Sequence, residues 1–128
     1  MSIGVDLKTY LLGYAGVAAL VVKRIYRTRA PISITPKAPY VVIAQVFPGR
    51  QYAHDGPIGL SFPRWQVTGF AATPEECDAL VAQIIAAMEA WPLTGTVQST
   101  ELLGAPELYD KEAELYYVAT DWRIAYPE

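Results

Sequence analysis

The stretch that most restricts the fold of this 128-residue chain runs from Phe62 to Trp91. It opens with FPRWQVTGFAATPEE, in which polar and apolar residues alternate. Arg64, Gln66 and Thr68 fall on one side of an extended strand, and Trp65, Val67 and Gly69 on the other. The alternation runs directly into a helix start. Thr73, Pro74 and Glu76 make a capping box with proline at the first helical position, where its missing N–H is not needed. Cys77, Leu80, Val81, Ile84, Met88 and Trp91 then recur as one apolar stripe until Pro92 stops the helix. With so short a turn between strand and helix, the stripe is expected to fold back onto Trp65 and Val67. Helices laid on one face of a sheet are the economical solution for a chain holding such a unit.

The flanking segments extend this pattern. Asp6 is an N-cap for a first helix in which Leu7, Leu11, Tyr14, Ala18 and Val21 keep helical spacing. Gly13 and Gly16 each cost about 1 kcal/mol inside a helix, so a break is expected near Gly13, with a shorter turn through Leu20. VKRIYR (22–27) reads as a first strand. TRAPISITPKAP follows as an extended loop, because Pro31, Pro36 and Pro39 push their predecessors out of helical space. YVVIAQVF (40–47) has the β-branched content of a central strand. Residues 48–62 are expected to form a long mobile loop, with a hairpin-turn signal at Asp55-Gly56. TVQSTELL (96–103) alternates as a fourth strand, GAPELYDKEAE makes a turn, and LYYVATDWRIAY (115–126) closes the chain as a long last strand. On that strand Tyr116, Val118, Thr120, Trp122, Ile124 and Tyr126 share a face; Tyr117, Asp121 and Arg123 share the other, where Asp121 and Arg123 are expected to pair. The sum is an α+β fold: one domain over 1–128, a mostly antiparallel sheet of four to five strands, and two helices on one face.

A 52% hydrophobic, 18% charged composition excludes a disordered chain. The apolar run LLGYAGVAALVV is twelve residues, short of the roughly 18 to 20 that span a bilayer. Asp6 before it and KRIYR after it do not fit a signal peptide. It reads as a buried helix, with no membrane partner expected. Net charge is −3, but its distribution is lopsided. Leu7 to His54 holds seven basic residues (Lys8, Lys23, Arg24, Arg27, Arg29, Lys37, Arg50) and no acid, whereas Ala71 to Glu128 holds eleven acids against Lys111 and Arg123. The halves stand at +7 and −9, and such complementary faces steer like subunits into head-to-tail contact. Nine tyrosines against three phenylalanines suit either the rim of a core or surfaces half-buried against a partner.

Candidate chemistry is sparse. His54 is the sole histidine and Ser61 the nearest hydroxyl, without the glycine motif of a nucleophile elbow. A small enzyme or ligand-binding domain using these residues, or a pocket near Trp65, is one alternative. Cys77 is the only cysteine, in an apolar stripe that suits a buried structural thiol. Asp110, Glu112 and Glu114 alternate faintly like a calcium loop but lack its glycine and its distal glutamate. Neither metal nor cofactor is expected. Arg24, Arg27, Arg29 and Lys37 with Tyr26 interleaved could be a solvated strand end, a protein-partner patch or a nucleic-acid contact; the pI of 5.1 and the absence of a binding motif weigh against the last.

Four stretches together resemble the tail completion, or tail terminator, proteins of long non-contractile-tailed bacteriophages and of gene transfer agents. They are VAALVVKRIYRTRAP, PYVVIAQV, RWQVTGFAATPEECDALVAQIIAAM and LYDKEAELYYVATDWRIAY, which with their connections cover most of residues 5 to 126. The resemblance implies a structural, non-enzymatic protein forming a ring, usually hexameric. The ring would cap the tail tube, end its elongation and present a surface to the head connector or neck protein. DNA would pass through it without specific binding. It also implies residence at the head-proximal end of the virion tail, after synthesis in the bacterial cytoplasm. A neck or head-completion adaptor is the alternative within the same class. For the ring, the expected interface sets Arg24, Arg27, Arg29, Lys37 and Arg50, with Tyr52 and His54, against Glu107, Asp110, Glu112 and Glu114 of a neighbour.

Overall fold

In the computed structural model, residues 3–30, 39–47, 50–53 and 56–127 are described, those at 50–53, 56–61 and 127 by their backbone alone. Helix α1 (Ile3–Gly13) and helix α2 (Ala15–Val21) are bent by 82° at the break between them. Val22 and Lys23 then adopt left-handed φ values of 50° and 66° and turn the chain into β1 (Ile25–Arg27). Strands β2 (Tyr40–Phe47), β3 (Arg50–Ala53), β4 (Gly56–Ser61) and β5 (Arg64–Ala71) lead into helix α3 (Pro74–Ala90). A 3-10 turn (Trp91–Thr94), β6 (Ser99–Gly104), β7 (Glu107–Asp110) and β8 (Leu115–Pro127) complete the order.

The strands form one sheet in the order β1-β2-β5-β8-β4-β3, with β6 and β7 also on β8. Since β8 pairs with β5 over residues 116–123, its partners β6 (121–125) and β7 (115–118) must line its other edge. Every pairing is antiparallel except the parallel β1–β2 pair. The α+β expectation holds, with more strands than the four to five read from the sequence. Residues 48–62, read as a connecting loop, contain β3 and β4, which extend β2 and β5 into one long hairpin (Phe47 opposite Arg64, Arg50 opposite Ser61, Ala53 opposite Gly56). The stretch read as a turn at 104–114 likewise contains β7.

The core lies between the sheet and the helices. Leu7 and Leu11 of α1, Val17 and Val21 of α2, and Leu80, Ile84 and Met88 of α3 pack with Val41, Ile43, Trp65, Val67, Trp122 and Ile124 in one buried cluster. Thr73 caps α3 by accepting a hydrogen bond from the Glu76 amide at 3.2 Å. Gly69 lets α3 approach β5: a Cβ there would sit 3.0 to 3.1 Å from Leu80 and Ile84. Two polar groups in the core are satisfied in series, because Thr120 donates to the Val67 carbonyl (2.5 Å) and accepts from Trp122 Nε1 (2.8 Å). Tyr10 stacks on Trp91 and donates to the Ala87 carbonyl at 2.6 Å, tying α1 to the end of α3.

The helix-free face carries the other residues of the alternation. Tyr26 meets Tyr40 edge-on, Tyr40 stacks on Phe70 at 4.6 Å, and Phe70 stacks on Tyr117 at 5.1 Å, a row crossing β1, β2, β5 and β8. Asp121 and Arg123 do not pair with each other. Successive same-face residues of a strand are held about 7 Å apart, so each reaches sideways instead: Asp121 to Arg64 of β5, and Arg123 to Glu101 of β6 with two contacts of 2.9 Å.

Candidate assembly edges

Register places the starts of the two charged segments at opposite edges of the sheet and at the same level along it. Ile25 of β1 pairs with Val41, Val41 with Gly69, Gly69 with Val118, and Val118 with Glu107 of β7. Four strand spacings separate the ends of this row, about 19 Å at about 4.8 Å each. That exceeds the Debye length of roughly 10 Å at 0.1 M salt. The two edges therefore interact little within one molecule.

At the basic edge, Arg24 donates to the Pro39 carbonyl at 2.6 Å, bracing the start of β2. The Arg27 guanidinium lies 5.3 Å from the Trp65 ring centre and directly against Gly4, where any Cβ would fall 2.5 Å from its central carbon. An aromatic ring does not cancel a charge, so Arg27 keeps its field while bracing the fold. Arg29 is exposed. Arg50 and Tyr52 are placed on β3 by their backbone, and Lys37 and His54 lie outside the described residues.

At the acidic edge, Glu107, Glu112 and Glu114 are exposed and Asp110 is half-buried. One Asp110 oxygen accepts from the amides of Glu112 (3.0 Å) and Ala113 (3.2 Å), so the carboxylate organises the turn between β7 and β8. Burial pushes the Tyr40 hydroxyl pKa up, with a further push from the field of Asp110 and a smaller one from Tyr26.

Trp65 is 1% exposed and fills the core, which removes it as the wall of an open binding site. A shallow groove of about 350 Å³ lies instead between α1 and the 3-10 turn, lined by Val5, Asp6, Thr9, Tyr10, Trp91, Thr94 and Thr96. Tyr126 donates to Asp6 at 2.5 Å, and burial followed by this bond pushes the Tyr126 pKa up from 10.0 to about 12. Cys77 is buried with its sulfur 3.8 Å from the Gly69 carbonyl; burial, and then the fields of Asp78 and Glu107, push its thiol up and away from reactivity. Among the described residues no group of three or more His, Cys, Asp or Glu is placed to hold a metal ion. Among the described residues no single helix is long and apolar enough to cross a membrane.

Sequence reasoning singled out the charged residues but not six exposed apolar ones: Val46 and Phe47 at the hairpin stem, and Leu102, Leu103, Leu108 and Tyr109 on β6 and β7. Adjacent residues on a strand point to opposite faces, so exposure of both members of such pairs marks strands that overhang the body. The doublets VF, LL and LY were legible, but not that both neighbours face water.

No curated protein matches the chain. Among solved structures it is similar to a chain of the virion of a native gene transfer agent (GTA) particle, at 15% identity and a TM-score of 0.74, over 94% of this chain and 90% of that one. That likeness is one of fold. The profile of the family described as "Tail completion protein gp17" matches residues 5–126, from the first turn of α1 to the end of β8. The chain belongs to the tail completion protein gp17 family.

Proposed function

We propose that this protein forms a homo-oligomeric ring, a hexamer, that caps the tail tube, stops its elongation and presents the surface to which the head connector docks. Family membership makes it a structural tail completion protein of the virion. The ring, the capping and the joining are our extension of that role. One observation carries it: a basic edge at Arg24, Arg27 and Arg29 and an acidic edge at Glu107, Asp110, Glu112 and Glu114 lie on opposite sides of one sheet, level with each other where the two segments begin. A surface of that kind is complementary to a copy of itself displaced sideways. Head-to-tail contacts of that type generate closed rings when the rotation between neighbours divides a full turn. The charges steer approach and set orientation, while tight packing supplies most of the affinity. The role asks for no bond-making, and the arrangement of side chains serves contact throughout.

The test is cryo-microscopy of particles assembled without the protein. Tubes of uncontrolled length, or tubes of normal length left unjoined to heads, are expected. Normal-length tails attached to heads would overturn the proposal.

A further inference from the structure

We infer that Val46 and Phe47 of one copy dock on Leu102 and Leu103 of a second copy, an apolar contact at the junction between neighbours. The inference rests on the ring proposed above and names a surface that helps hold it together. The four side chains are exposed by 39% to 54%. Single exposed apolar residues are ordinary, but grouped ones mark a surface that a partner covers. Here they form two groups on opposite edges. Phe47 pairs with Arg64, Arg64 with Arg123, and Arg123 with Glu101, the residue before Leu102, so the groups stand three strands apart at one level.

The edge strands are built for contact rather than for isolation. Soluble proteins guard open sheet edges with lysine, proline or inward-pointing charge. The β1 edge is guarded in that way, by Lys23, Arg24, Arg27 and Arg29. Among the described residues no strand pairs with β2 beyond Ile43 on the β1 side, and Ala44 to Phe47 carry no charge there. On β6 the one charged residue, Glu101, is already bound by Arg123.

Charge decides who the occupant is and how it sits. A two-fold dimer through either edge would set arginines on arginines or carboxylates on carboxylates. A neighbour rotated about an axis along the strands sets the Arg24–Arg29 edge against the Glu107–Glu114 edge. The same rotation brings the Val46–Phe47 group toward Leu102 and Leu103, which stand at its level. The occupant is therefore a second copy in a head-to-tail, non-two-fold contact.

Cysteine pairs test this, because the only native thiol, Cys77, is buried. Single variants F47C, L102C and L103C and the doubles F47C/L102C and F47C/L103C are oxidised at a concentration where the wild type associates, then run without reductant. At least one double should give a ladder of cross-linked multimers that collapses on reduction, with at least about tenfold more cross-linking than either single. Singles that cross-link as well as the doubles would show a two-fold contact and overturn the inference, as would doubles that stay monomeric. Val46→Lys and Leu103→Glu supply an independent arm: each alone should abolish association, and mixing the two variants should restore it. An oligomer of ring mass with no ladder and no restoration would remove this contact but leave the ring. A ladder combined with normal tails in particles lacking the protein would remove the capping role but leave the contact.

Discussion

Arg27 belongs to the basic edge, but it also covers two core elements, the Trp65 ring and the Gly4 backbone of α1. A guanidinium over an indole is worth about 0.5–1 kcal/mol at an exposed site, and its aliphatic stem adds packing. Arg27→Ala should therefore lower stability by about 1 kcal/mol in urea denaturation, with Arg27→Lys recovering part of it; no loss in the alanine variant would show the stacking to be idle. Arg27→Glu consequently mixes a folding defect with any effect on association, and exposed Arg29 is the cleaner probe of charge. Tyr126 governs behaviour at alkaline pH. Its proton is held more tightly in the folded chain, from 10.0 up to about 12, through burial and then the bond to Asp6. A folded-state pKa raised in this way contributes stability that is complete below pH 10 and is lost as pH rises through about 12. Denaturation midpoints should fall over that window, and fall less in Tyr126→Phe. Identical slopes would contradict the assignment.

At the scale of elements, the β5–α3 unit is where local and tertiary preferences agree. Removing the Thr73 cap should cost about 1 kcal/mol. Gly69→Val, which forces a side chain against Leu80 and Ile84, should cost about 1–3 kcal/mol by overpacking. Equilibrium unfolding checks both, and a Gly69→Val variant as stable as the wild type would mean that α3 can lift off the sheet freely. This unit was legible in the sequence because its burial is one-sided, so alternation, cap and stripe all report the same face. The break between α1 and α2 was legible from the cost of Gly13 and Gly16 in a helix, the strand at Tyr40–Phe47 from its β-branched run, and the long β8 from its alternation. The β3–β4 hairpin was not, because RQYAHDGPIGLS mixes Gly, Pro and polar residues of low strand preference, and its strands extend from β2 and β5. Strand β7 was missed because Glu107, Leu108 and Tyr109 are all exposed, leaving no alternation to read. The parallel seating of β1 on β2 also left no local signal, since nothing in the three residues IYR fixes the direction of their partner strand. The Asp121–Arg123 pairing failed because partners came from neighbouring strands that the sequence does not align.

For the whole molecule, part of the charge asymmetry along the chain, Arg24, Arg27 and Arg29 against Glu107, Asp110, Glu112 and Glu114, falls at opposite edges of one sheet. The sheet order turns an asymmetry of sequence into an asymmetry of space: β1 and β7 are separated by three strands that belong to the shared core. Association driven partly by these edges should weaken with salt. Arg29→Glu should reduce association about fivefold by sedimentation, a modest effect because exposed pairs contribute under about 1 kcal/mol each. Adding Glu112→Lys in the same chain should recover part of it. Association unchanged by either substitution and by salt would show the charges to be bystanders. The family places the protein in the virion, and the proposed ring gives each edge a neighbour there. The most direct measurement is a cryo-microscopy reconstruction, without imposed symmetry, of the head-proximal end of the tail. It should contain a closed ring of this chain with the β1–β2 edge of each copy against the β6–β7 edge of the next. A single copy at that end, or copies meeting through like edges, would contradict it.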